Sequence, residues 1–394
     1  MKPTSKTIRV LGLGSLLAIS FLFAWFPTRF VYALTEIGPP TGSEETEDGR
    51  YLGDPIRGLT PEQRRAFDEG FDLFIKNWTV KEGIGPKLNA HSCVTCHRIP
   101  TPGGSGTGPE TFVLHSHNVI DAIGGSVFTQ FEVGETGNLL RLSPPRQITL
   151  RKTQSLFGLG LLESVPVSVL LEHSDPDDRD CNGISGRLVK VGPEYGRFGW
   201  KGNVPSIQMF VEDAFAVELG LGNLSHRDES KLSIRALENV AGVEINATQV
   251  GLVSEFVRYL GPPRHSSGKG VARGSEIFDK IDCATCHRRT LRTAPGAFPF
   301  GNQTLFAFTD LLLHDMGDQL ADGLEENGVS AREFRTPPLW GIASTGPPYL
   351  HDGRAATLND AILAHGGEAS ISAHKYEMLS ADQREAILKF INSL

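Results

Sequence analysis

Cys93-Val94-Thr95-Cys96-His97 and Cys283-Ala284-Thr285-Cys286-His287 are the two stretches on which the reading of this chain turns. Each has the Cys-x-x-Cys-His spacing of a thioether attachment site for haem c. The chemistry sets the spacing: the paired thiols reach both vinyl groups on one porphyrin edge, and the next residue's imidazole meets the iron. A single copy is compatible with a zinc or redox site, whereas two copies in one chain favour haem. Cys93, Cys96, Cys283 and Cys286 are therefore assigned to covalent attachment of two haem c groups, and His97 and His287 to their irons.

Outward from these motifs the chain repeats itself. Each motif is followed by a Thr-centred segment, Arg151-Lys152-Thr153-Gln154-Ser155-Leu156-Phe157-Gly158 in the first half and Arg335-Thr336-Pro337-Pro338-Leu339-Trp340-Gly341 in the second. Each half then closes with an amphipathic helix. Ser380 and Gln383 form a capping box before Ile387, Leu388, Ile391 and Leu394, and the first-half counterpart carries Val250, Val253, Phe256, Val257 and Leu260. Thr60-Pro61-Glu62-Gln63 opens a helix whose apolar face is Phe67, Phe71, Phe74, Ile75 and Trp78, and Val271 to Ile281 reads as a short helix leading into the second motif. Strand signals are sparse. The expectation is a mainly α protein with long loops and two cytochrome c-like haem domains, at 34–262 (with an insertion between about Leu161 and Ala247) and 263–394, divided at the Gly-, Pro- and Ser-rich stretch after Gly261. Pro100 to Gly108 is expected to wrap the first haem.

Residues 1–33 read as a signal peptide: Lys2, Lys6 and Arg9 precede an apolar run from Val10 to Phe26, and Val31-Tyr32-Ala33 offers a cleavage site. An uncleaved membrane anchor is the alternative; a lipid anchor is excluded because no cysteine precedes Cys93. Cleavage removes four basic residues and no acids, leaving 34 basic against 46 acidic residues, a net charge of −12. That charge argues against nucleic acid and anionic membranes and mildly for a basic redox partner. The expected location is the periplasm.

Phe334-Arg335-Thr336-Pro337-Pro338-Leu339-Trp340-Gly341 together with Tyr349-Leu350-His351-Asp352-Gly353-Arg354 resembles the bacterial di-haem cytochrome c peroxidase superfamily. Gly158-Leu159-Gly160-Leu161-Leu162-Glu163, Gly196-Arg197-Phe198-Gly199-Trp200-Lys201 and Leu313-His314-Asp315-Met316-Gly317 resemble its di-haem oxidoreductase branch. The resemblance implies a haem in each half. It also implies a second axial ligand for the second haem about fourteen residues after His351, where relatives keep Met and this chain has His365. Bis-His ligation leaves a haem at lower potential than Met/His ligation, so a high-potential relay role is in question. His314 and Met316 are the other axial source, and His351 and Arg354 are expected to touch propionates or order their loop.

At the first haem, His115 and His117 lie near where relatives keep a dissociable distal His, and Glu163 near a distal polar residue that could act as acid and base on peroxide. A helix-capping or ion-paired Glu163 is the alternative. Asp178-x-Asp180-x-Asn182-Gly183 has the spacing of the first half of a calcium loop, with Asp175 and Asp177 nearby, although Val189 stands where the loop's final Glu belongs. An acidic turn is the other reading. Cys181 is the odd thiol and receives no role. Trp340, Phe157 or Trp200 could lie between the haems, though aromatics in such places are more often core.

Three functions fit. The first is a peroxidase-like oxidoreductase reducing hydrogen peroxide with electrons from a small c-type cytochrome or copper protein. The second is a di-haem electron carrier without a substrate, and the third an oxidase of a partner protein.

Overall fold

Thr60 starts the first helix by exchanging hydrogen bonds with Gln63: its Oγ1 accepts from the Gln63 amide at 3.2 Å, and its own amide donates to Gln63 Oε1 at 2.9 Å. Ser380 and Gln383 repeat this box before the last helix. A third box, Asn246 with Gln249, starts the first-half closing helix. The computed structural model describes residues 51–394 apart from 107, 109–110, 117–126, 135–136, 146–147, 226–243, 267–269 and 297–298. Residues 1–33 and His117 therefore lie outside the described residues.

Among the described residues there are ten α-helices: α1 (Pro61–Ile75), α2 (Leu159–Glu163), α3 (Val167–Glu172), α4 (Ile207–Glu218), α5 (Ala247–Tyr259), α6 (Val271–Lys280), α7 (Ile342–Thr345), α8 (Leu358–Leu363), α9 (Ser370–Glu377) and α10 (Ala381–Ile391). The strands are two to four residues long and pair in small antiparallel sheets, such as Phe112–His115 with Thr149–Lys152 and Leu313–Asp315 with Glu333–Arg335. Among the described residues no helix is long and apolar enough to cross a membrane.

The repeat seen in the sequence is physical. Helix α1 crosses α5 at Gly70, where an added Cβ would lie 2.0 Å from the Leu252 carbonyl oxygen; α6 crosses α10 at Gly274, 2.0 Å from that of Ala386. Only glycine allows backbones this close. Beside each crossing sits an aromatic pair, Phe74 with Phe256 (centroids 4.8 Å apart) and Phe278 with Phe390 (5.3 Å). The closing helices end alike, Leu260 and Leu394 accepting from the amides of Gly158 and Gly341. Those glycines have left-handed φ of 75° and 70° and begin α2 and α7.

The described residues fall within one compact unit, Pro40–Leu394, and the halves share apolar packing: Leu291, Leu305, Ala307, Leu311 and Trp340 join the first half's core. They also exchange backbone hydrogen bonds. Lys152 N–H donates to His351 O at 2.6 Å and Arg335 N–H to Trp200 O at 2.8 Å, so the strand before each repeated Thr is stitched to a loop of the other half.

Gly70→Ala should cost about 1–3 kcal/mol through overpacking at the crossing. Gly251→Ala, inside α5 with nothing within 4 Å, should instead gain roughly 0.5–1 kcal/mol. Thermal melts of the two variants check the contrast; equal shifts would contradict the close crossing.

Candidate functional site

A cavity of ≈ 560 Å³ runs through both halves, and both Cys-x-x-Cys-His motifs line it. Each motif forms a single 3-10 turn, Cys93–Thr95 and Cys283–Thr285, and the following histidine closes it by donating its amide to the first cysteine's carbonyl at 3.0 Å. The turn puts both thiols and the imidazole on one side.

The imidazoles are held alike. His97 Nδ1 lies 3.1 Å from Gly104 O, and His287 Nδ1 lies 3.1 Å from Phe308 O. A carbonyl only accepts, so Nδ1 carries the proton and Nε2 keeps a lone pair, as an iron ligand requires. Burial pushes both imidazoles down to about 4, so they are neutral at physiological pH. Gly104 belongs to the loop expected to wrap the first site, most of whose residues from Thr101 to Gly106 are buried. Neutral imidazoles, adjacent thiols and a mainly apolar wall fit two haem groups.

His365 lines the same cavity. Its Nδ1 donates to Ala361 O at 2.7 Å, within the turn ending α8, which again leaves Nε2 with its lone pair. Burial lowers its pKa, and after burial its imidazole is the next influence holding His287 down. His314 is arranged oppositely. Its Nε2 meets Asp310 Oδ2 at 2.9 Å and its Nδ1 meets Glu368 Oε2 at 2.8 Å, so neither nitrogen has a lone pair to offer iron. Burial opposes its charge, but bonds to Asp310, Cys286 and Glu368 outweigh burial and raise it well above the ordinary histidine value. Cys286, Asp310 and His314 approach one another closely enough to share an ion, but both His314 nitrogens are engaged. Met316 lines the cavity.

The segments before α4 and α8 are copies at an offset of 151 residues. Phe198 bridges Val204 as Tyr349 bridges Ala355. Left-handed Gly199 and Gly202 match left-handed Leu350 and Gly353. Ser206 caps α4 by accepting from Met209 N, and Thr357 caps α8 by accepting from Asp360 N. Trp200 thus corresponds to His351, and their rings meet edge to face at 6.2 Å. The position corresponding to His365 is Ala214, which also faces the cavity. No ligand type marks Ala214 in the sequence; the matching bridges and caps were the available signal.

Glu163 lies elsewhere. It does not line this cavity: its Oε1 accepts from Ile207 N at 2.7 Å, at the start of α4, and its Oε2 pairs with Arg258 at 2.9 Å. Both oxygens hold helices together, the geometry of the capping and ion-paired alternative. His115 is buried on the cavity wall, Nδ1 3.8 Å from Glu326 Oε1, in a polar group where Arg151 pairs with Asp322 and Glu326 and Lys201 with Asp322. His351 stacks on Phe334 at 3.9 Å, and Arg354 pairs with Asp352 and orders that loop. Trp200, Trp340 and Phe157 all line the cavity, and the Trp200 indole donates to Lys152 O at 2.7 Å.

The Asp178–Gly183 loop is exposed, and its carboxylates turn onto its own backbone: Asp178 accepts from Gly183 N and Asp180 from Asn182 N. Arg179 pairs with Asp177, and Cys181 is exposed.

Two imidazoles presented to one cavity, each beside a cysteine pair, describe a redox protein built for two haems. The chain belongs to the di-haem oxidoreductase family, described as "Di-haem oxidoreductase, putative peroxidase", whose profile matches residues 138–394, more than half of the chain. No curated protein matches it. Solved structures similar to it include the diheme peroxidase BthA from Burkholderia thailandensis (14% identity, covering 89% of each chain, TM-score 0.43) and a MauG-like protein associated with microbial copper homeostasis (16%, 86% of this chain and 91% of that one, TM-score 0.39). Hydrazine synthase of Kuenenia stuttgartiensis is a third (15%, 91% and 100%, TM-score 0.39).

Glu163→Gln should lower stability by roughly 1–3 kcal/mol through loss of a charged hydrogen bond, with turnover unchanged. A selective loss of turnover at unchanged melting temperature would return Glu163 to the reaction.

Proposed function

We propose that the chain is a di-haem c-type oxidoreductase in which the second haem relays electrons and the first is reactive. The observation that carries this is the exchange of His365 for Ala214 at equivalent places in two otherwise matching segments. His287 and His365 would both hold the second iron. His97 would hold the first, and Ala214, in the place equivalent to His365, offers it no ligand. Thioether attachment through Cys93, Cys96, Cys283 and Cys286 rests on the two motifs and the turns that present them. The two haem domains of a mainly α fold would then be the two halves, each closed by its own helix crossing at Gly70 or Gly274.

Peroxide is the substrate this arrangement supports best. The iron of a bound haem supplies electron transfer and cleavage of the O–O bond. The chain must position the peroxide and move its protons. Glu218 lies one turn beyond Ala214 on the same face of α4, lines the cavity and accepts from Asn89 Nδ2 at 2.7 Å. In Glu163's stead, it would take the proton from the bound peroxide and return it to the leaving oxygen. Phe210 and Phe215, on the same wall, limit water. Trp200, at the junction of the halves, would carry electrons between the haems. A small c-type cytochrome or copper protein would be the donor. Export to the periplasm rests on residues 1–33. Calcium at Asp178, Asp180 and Asn182 rests on spacing alone. Calorimetry of chelator-treated protein should show heat on adding calcium, and no heat would leave an acidic turn.

His365→Ala should turn a low-spin second haem high-spin or water-ligated without changing the first. Ala214→His should make the first haem low-spin and abolish peroxide reduction. Optical and EPR spectra read both; two low-spin haems that exchange no ligand in the native protein would favour the pure electron carrier.

A further inference from the structure

Among the described residues four buried lysine and arginine side chains stand on the cavity wall, and two of them have balancing carboxylates. Arg151 and Lys201 are paired by Asp322 and Glu326. Lys152, 8% exposed, donates only to backbone carbonyls, Pro348 O at 2.7 Å and Gly346 O at 3.4 Å. Arg335, 5% exposed, donates to Gly199 O at 2.8 Å, Thr336 O at 3.1 Å and Gln154 Oε1 at 3.2 Å. Among the described residues neither cation has a carboxylate within ion-pair distance; Asp310 acts on Arg335 from farther off, and its Oδ2 is taken by His314 at 2.9 Å. Carbonyl dipoles solvate a cation but do not neutralise it, and an unbalanced buried charge costs several kcal/mol.

The two residues are also copies of each other. Each immediately precedes a repeated Thr, Thr153 or Thr336, whose carbonyl accepts a hydroxyl from the loop beside its own half's haem motif, Ser105 or Thr309. Each gives its amide to the other half, Lys152 to His351 O and Arg335 to Trp200 O, and each side chain reaches a loop carbonyl there too, Pro348 O or Gly199 O. Both line the cavity. The wall therefore offers two unneutralised cations, one per half.

We propose that Lys152 and Arg335 are matched carboxylate-binding residues, each taking a propionate of a different haem while gripping the opposite half's loop. The proposal rests on the two-haem reading above. It makes them positioning residues, and it makes each haem's potential depend on its own cation. A ferric haem carries one more positive charge than a ferrous one, so a nearby cation favours the ferrous state. Removing the cation, and leaving the propionate uncompensated, should lower the potential of that haem.

The test is spectroelectrochemical titration of the full-length holoprotein and of Lys152→Gln, Lys152→Arg, Arg335→Gln and Arg335→Lys, each with its haem-to-protein ratio. Each Gln variant should shift one haem, a different one in each, by about three- to tenfold in ferric-to-ferrous ratio at fixed ambient potential, tenfold being about 59 mV for one electron. The charge-conserving variants should restore most of the shift, and they carry the test if a Gln variant loses haem. Potentials unmoved, or the same haem moved by both Gln variants, would overturn the proposal. Wild-type potentials that depend on added phosphate would also overturn it, assigning the cations to a free anion. A wild-type ratio below two haems per chain would instead sink the two-haem reading itself.

Discussion

The reciprocal backbone exchange between the halves is the constraint on which the rest depends. Lys152 donates to His351 O and Arg335 to Trp200 O, so neither half's site is complete without a loop from the other. This fixes Trp200 against His351 and brings the two motifs to one cavity. Around this junction the protein buries ionised groups that would be costly alone. Lys201 and Asp322 have fully buried side chains, and Arg151 joins them through two hydrogen bonds to Asp322. A closed, hydrogen-bonded network of this kind tolerates burial far better than an isolated charge.

Much of this was legible in the sequence because local chemistry specifies it. The Thr60 and Ser380 boxes, the Cys-x-x-Cys-His turns and the closing helices need only neighbouring residues to form. The pairing of halves was legible in outline, through the repeated Thr153 and Thr336. The cost of the crossings at Gly70 and Gly274 was not, since a lone glycine in a helix looks like a weak position until the partner backbone is known.

The candidate site was less legible where its meaning is relational. Glu163 has the composition of a catalytic acid, but its contacts with Ile207 and Arg258 are set by chain 44 and 95 residues away. His314 resembles a ligand until Asp310 and Glu368 are seen to occupy both its nitrogens. Ala214 is the extreme case, since a missing side chain leaves no motif. It stands out only against His365, through bridges and caps that align the two segments.

The junction also bears on how the chain folds. Lys152 and Pro348 are 196 residues apart in the chain, and Arg335 and Gly199 136 apart. The helix crossings span comparable stretches, Gly70 to Leu252 and Gly274 to Ala386, so neither half's framework closes before most of its own chain is in place. Contacts this distant in the chain slow folding, because the entropy of closing long loops is met before the native contacts form.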